Sequence, residues 1–187
     1  MKNVLSTVCA LAMMAAPVFA QGPGGAAGAP QKTGLAAGLQ RAYAGIKGNV
    51  TQSAEKMSDA DYGSRPHAES RTFGQLFGHI ANAQFGQCAG IKGEPNPSQD
   101  VDFEKKTTKT EFLKAIADSF AYCDPIVAGL TDETLLQYVP QGRNEVVRAV
   151  SVTGLIAHSN EMYGTAAAYL RAKGIVPPST ERQQQRR

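Results

Sequence analysis

Apolar residues recur at three- and four-residue steps through four stretches of this chain, and no stretch alternates convincingly for a strand. A chain patterned in this way folds by packing amphipathic helices on one another. Leu35, Leu39, Tyr43, Ile46 and Val50 make the apolar stripe of a first helix that starts near Gly34 and ends near Met57. Thr72-Phe73-Gly74-Gln75 has the form of a capping box, in which a threonine hydroxyl and a glutamine side chain satisfy each other's free backbone amides. It opens a second helix that carries Phe73, Leu76, Ile80 and Ala83 inward and stops at Lys92-Gly93, before Glu94-Pro95-Asn96-Pro97. Thr108-Lys109-Thr110-Glu111 is a second capping box, and the helix after it runs through Phe112, Ile116 and Phe120 toward Leu130, with Pro125 a kink or an early stop. Beyond a short segment at Thr131 to Tyr138, Asn144 is the expected cap of the longest helix, Glu145 to Lys173, closed by Gly174 and Pro177-Pro178.

Connection lengths order these four helices. The link of 15 or so residues between the second and third reaches about 50 Å when extended, more than the roughly 30 Å of a 20-residue helix. The two helices are therefore free to run parallel. Cys88 lies 16 residues past Thr72 and Cys123 lies 15 past Thr108, so a parallel pair holds them level. An antiparallel pair would separate them by about 17 Å along the axis, and a disulfide needs Cα atoms within about 7 Å. The reading is a Cys88–Cys123 disulfide; the alternative is two small buried apolar residues that never meet.

The ends of the chain differ from its body. Met1 to Ala20 has one lysine, an apolar run from Val4 to Ala16 and the small-x-small ending Val18-Phe19-Ala20, which is the form of a secretory signal peptide cleaved after Ala20. The run is shorter than the roughly 20 residues of a membrane span, so no stable membrane insertion is expected. Export to the periplasm or beyond would put the two remaining cysteines in an oxidising compartment. Gln21 to Pro30 is rich in glycine, alanine and proline, and positions 21–33 read as a flexible linker. Residues 34–179 are the expected bundle, and Thr180 to Arg187, with three arginines against Glu181, the expected disordered basic tail. Without the leader and that tail, 15 basic residues balance 15 acidic ones. A nucleic-acid partner would call for a basic stripe on the folded body, so none is expected.

The chain has only three histidines, and they frame the chemistry. His67 follows Pro66 in a loop and reads as an exposed loop residue. His79 and His158 fall inside helices, 13 residues before the end of the second and 14 after the cap of the fourth, so antiparallel neighbours bring them to one level. One turn beyond His158, Glu161 and Met162 share its face. Two imidazoles with a carboxylate or thioether suit zinc, nickel or copper, and methionine suits reduced copper. The same pair packed in a core and hydrogen-bonded needs no ion. Asp100, Asp102 and Glu104 alternate in the long connection without the glycine turn of a calcium loop, and read as solvated. No Gly-x-Ser-x-Gly elbow, phosphate-cradling glycine loop, paired-cysteine zinc motif or Cys-x-x-Cys-His haem attachment is present.

The segments Arg71-Thr72-Phe73-Gly74-Gln75-Leu76-Phe77-Gly78-His79-Ile80-Ala81-Asn82, His158-Ser159-Asn160-Glu161-Met162-Tyr163-Gly164 and Tyr169 to Pro178 resemble the DinB-like family of metal-binding bundles, not the DNA polymerase of similar name. The resemblance spans about Gly34 to Ser179. It implies an all-α four-helix bundle of up-down-down-up topology. It also implies a metal site built from one histidine on the second helix and a His-x-x-x-His pair on the fourth. His79 and His158 match the first two ligand positions, while Met162 stands at the third and departs from the pattern. Some relatives are similar to thiol-dependent transferases or isomerases, and relatives dimerise, so a homodimer is among the expected states. The combined expectation is an exported bundle with a degenerate histidine site that binds a small molecule or a divalent metal ion, with or without turnover. The alternative is a metal-dependent hydrolase or thiol-type transferase in which His79, His158 and either Glu161 or Met162 hold the ion.

Overall fold

The computed structural model describes residues 32–187. The expected leader, its cleavage point after Ala20 and nearly all of the linker lie outside the described residues. Among the described residues six α-helices, α1 (Leu35–Lys56), α2 (Phe73–Lys92), α3 (Lys109–Ala128), α4 (Asp132–Leu135), α5 (Arg148–Ala172) and α6 (Pro178–Gln184), and a hairpin of β1 (Tyr138–Gln141) and β2 (Asn144–Val147) follow one another. The four long helices form the bundle, and contacts at several heights fix their directions. The Cys88–Cys123 pair and the bond from the Ser119 hydroxyl to Gln84 at 2.9 Å share one residue offset, so α2 and α3 run parallel. The His79–His158 contact and the Arg148 bond to the Ile91 carbonyl run in opposite senses along α2 and α5, which are antiparallel. Tyr43 bonds Asp124 near one end of α1 and Lys109 reaches the Met57 carbonyl near the other, so α1 opposes α3. The order is up, down, down, up.

Both expected capping boxes form, each closed by reciprocal side-chain and backbone bonds at Thr72 with Gln75 and at Thr108 with Glu111. Each cap is worth about 1 kcal/mol. The core is drawn from the anticipated stripes: Tyr43, Ile46 and Val50 of α1, Phe73, Leu76 and Ile80 of α2, and Phe112, Ile116 and Phe120 of α3 are buried. Leu35, by contrast, stands 49% exposed at the first position of α1. Pro125 does not stop α3, which continues to Ala128 and closes with the Gly129 amide on the Pro125 carbonyl at 3.1 Å.

Two sequence expectations are corrected. Asn144 does not cap the last long helix; it begins β2, which pairs antiparallel with β1 through Val139 opposite Val146 and Gln141 opposite Asn144. The cause is Gly142, whose φ of +63° opens a two-residue turn that a side chain would strain. α5 then starts at Arg148, whose amide bonds the Gln137 carbonyl at 2.8 Å. The hairpin escaped the sequence reading because only Val139 of β1 is buried, so its four residues show no alternation. Second, the expected disordered tail forms α6 over Pro178–Gln184, with a proline in the first turn. Its charges find partners on α1, Glu181 with Lys56 at 2.6 Å and Arg182 with Gln52 and Asn49, and Ser179 bonds the buried Tyr163 hydroxyl. Among the described residues no helix is long and apolar enough to cross a membrane.

The structure pairs Cys88 with Cys123 as a disulfide between α2 and α3, Cα atoms 5.5 Å apart. With a sequence separation of 35, loop closure contributes about 4 kcal/mol. The parallel pair has a second consequence. Chain leaving α2 at Lys92 must travel back along that helix to reach the start of α3, so residues of the connection lie beside α2.

Candidate functional site

The returning connection, with a single 3-10 turn at Phe103–Lys105, lands on the half of α2 that carries His79. The Asn82 side chain accepts from the Phe103 amide and donates to Asp102, both at 3.0 Å, while the Phe85 and Phe103 rings stack with centroids 5.5 Å apart. Gly78 lets this strap come down onto the helix: a Cβ there would stand 2.5 Å from the Phe103 carbonyl oxygen and 2.7 Å from the Glu104 backbone. Glu104 is thus delivered to the side of His79. One carboxylate oxygen accepts from His79 Nδ1 at 2.9 Å and the other from Arg71 Nε at 2.9 Å. The acidic run is therefore not all solvated; Asp102 and Glu104 are anchored on α2.

His79 and His158 meet as their helix positions indicated, Nε2 to Nε2 at 3.2 Å. Each imidazole is half-buried. The bonding pattern assigns the protons. Because Glu104 accepts from the Nδ1–H of His79, that ring offers a lone pair at Nε2, and His158 donates Nε2–H to it. His158 Nδ1 then carries a lone pair, and it is buried without a partner. An unpaired acceptor is less costly there than an unpaired N–H. Burial, and after it the repulsion that a protonated His158 would meet from a protonated His79 and from Arg71, push the His158 pKa down from 6.5, while Glu161 pulls the other way. The neutral ring that the bonding requires is the form these surroundings favour.

Of the other expected ligands, Glu161 is exposed and acts on His158 through charge alone. Met162 packs its side chain against the hydrophobic core. His67 lies in its exposed loop, its ring accepting from the Glu69 amide at 3.3 Å. Tyr169, near the site in sequence, bonds the Arg71 carbonyl at 2.8 Å and ties α5 to the residue that grips Glu104.

Whether these residues suit a metal ion turns on donors and protons. Two imidazole nitrogens bound to one tetrahedral zinc stand roughly 3.3 Å apart, close to the separation here. Glu104 on His79 Nδ1 also has the form of a carboxylate that orients a ligating histidine. It lies on the far side of the ring from His158, however, and cannot share an ion with both Nε2 atoms. Among the described residues no group of three or more His, Cys, Asp or Glu is placed to hold a metal. Moreover, an ion on His158 Nε2 would move that proton to Nδ1, where no acceptor waits. Two imidazoles and a thioether suit zinc or nickel less well than three imidazoles would.

The model of the DinB superfamily matches residues 46–161, and the chain belongs to that superfamily. Among solved structures, it is similar to a DinB-like protein from Bacillus cereus ATCC 10987 at 15% identity and a TM-score of 0.63, over 75% of this chain and 94% of that one. A DinB-like protein from Bacillus subtilis matches at 19% identity and a TM-score of 0.61, covering 73% and 92%. A conserved protein from Enterococcus faecalis matches at 15% and 0.57, covering 75% and 97%. At these identities the likeness is one of fold. A comparison with curated proteins finds no match.

Glu104 and Arg71 are the site residues that the sequence reading missed. Their signal was the parallel pairing of α2 and α3, which sends the connection back past His79, together with Gly78, a glycine inside a helix beside a candidate ligand.

Proposed function

We propose that this protein is an exported DinB-superfamily bundle that works by binding rather than by turnover, its histidine centre holding no catalytic ion. The observation that carries the reading is the mutual bond of His79 and His158 at 3.2 Å, with Glu104 occupying the outer nitrogen of His79. Each proton in that chain has a place without a metal. Export is supported by the signal-peptide form of Met1 to Ala20 and by a cysteine pair at disulfide distance, which suits an oxidising compartment.

One observation favours a second reading. Met162 sits one turn beyond His158, and imidazole with thioether suits reduced copper better than zinc or nickel. A single experiment separates the readings: elemental analysis of the protein purified from its oxidising compartment without chelator, beside a His79→Ala, His158→Ala double variant. The binding reading expects metal well below stoichiometric amounts in both. Near-stoichiometric zinc or nickel lost in the variant would overturn it and restore the metal-dependent hydrolase or transferase; near-stoichiometric copper lost in the variant would establish the second reading.

A further inference from the structure

An open groove of about 470 Å³ lies between the last turns of α2 and α3 and the first turn of α5. Its size falls within the roughly 300 to 1,000 Å³ of small-molecule sites. It is separate from the histidine centre, because Ile91 in its wall is 12 residues beyond His79 on α2, about 18 Å along the helix. The walls are mainly apolar: Ile91, Tyr122, Pro125, Ile126 and Leu130, with Ala121 exposed at the rim.

Arg148 stands in this apolar surrounding. Its Nε donates to the Ile91 carbonyl at 3.0 Å, and one terminal nitrogen donates to the Thr134 carbonyl and the Gln137 side-chain oxygen, both at 2.9 Å. All three acceptors are neutral. Among the described residues Arg148 takes part in no ion pair. Lys92, the other cation lining the groove, is neutralised by Glu94 at 2.7 Å. The guanidinium is therefore an uncompensated charge, fixed by three bonds, with its second terminal nitrogen left to donate. That free nitrogen can make a charge-assisted bond to one carboxylate oxygen, and the wall beyond it suits a hydrocarbon.

We propose that this groove binds a small anionic amphiphile of the fatty-acid class, its carboxylate on Arg148 and its alkyl chain along Tyr122, Pro125 and Ile126. The inference does not depend on the metal content of the histidine centre, and its test reads a different quantity. Decanoate, decanol and decyltrimethylammonium are titrated calorimetrically, below their aggregation concentrations, into the oxidised exported protein. The titrations are repeated on Arg148→Gln and Ala121→Trp. Decanoate is expected to bind at least about tenfold more tightly than decanol, the worth of one charge-assisted hydrogen bond, and the cation to bind weakest. Arg148→Gln should bring decanoate down to the level of decanol. Ala121→Trp fills the rim and leaves every Arg148 bond in place, so it should weaken both ligands even if Arg148→Gln fails to fold. Equal affinities for decanoate and decanol, no binding of decanoate, or an Ala121→Trp variant that binds decanoate as the parent does would each overturn the proposal.

Discussion

Gly78 decides whether Glu104 can reach His79. Without a side chain there, the Phe103–Glu104 backbone lies directly against α2; with one, the methyl group would meet a carbonyl oxygen at 2.5 Å and the strap would have to lift. Gly78→Ala gains helix propensity, yet the account expects a net loss of about 1 to 3 kcal/mol in urea unfolding, because backbone is harder to displace than a flexible side chain. His158 supplies a second residue-scale prediction. Its folded pKa lies below 6.5, first because of burial and then because a second positive ring would be repelled by a protonated His79 and by Arg71. The unfolded chain therefore binds more protons as pH falls. The stability contributed by the neutral ring is full above about pH 6.5, declines below it, and levels off once the folded form is protonated as well. Melting temperatures measured from pH 8 down to 5 should fall through this window, and His158→Gln should flatten that part of the curve. A drop of equal size in the variant would assign the effect to other groups.

Among the elements, the α2–α3 pair organises the rest. Its parallel course was legible from two capping boxes and the level of two cysteines, because a cap marks height along a helix and a disulfide demands equal height. Reduction of Cys88–Cys123, or the Cys88→Ala, Cys123→Ala double variant, should cost about 4 kcal/mol in denaturant unfolding. If the leader with Cys9 is removed as proposed, a thiol titration of the oxidised, denatured protein should find none free, and two free thiols would contradict the pairing. Where the reading failed, the elements were short or their partners distant in sequence. β1 and β2 have four residues each and little buried surface, so only the turn at Gly142 could have announced them. α6 is a charged segment whose order comes from Lys56, Gln52 and Asn49 on α1, more than 120 residues away. A sequence reading that weighs local charge has no access to such partners.

At the scale of the molecule, the site arises because the up-down-down-up order sets α5 against α2 and sends the α2–α3 connection back over the same face. The two histidines could be placed from helix spacing alone, but the third member of their chain could not, because Glu104 depends on the route of a loop rather than on any period. The same topology leaves Arg148 at the far end of α2, in a groove with no carboxylate of its own. The central proposal is that Glu104, His79 and His158 form a metal-free chain of hydrogen bonds in which every proton has an acceptor. The most direct test is a long-range proton–nitrogen NMR spectrum of the imidazoles in the oxidised protein near pH 7.5, recorded before and after one equivalent of zinc. The account predicts a proton on His79 Nδ1 and on His158 Nε2, with both rings unchanged by zinc; a proton on His158 Nδ1, or Nε2 signals of both rings that shift together when zinc is added, would contradict it.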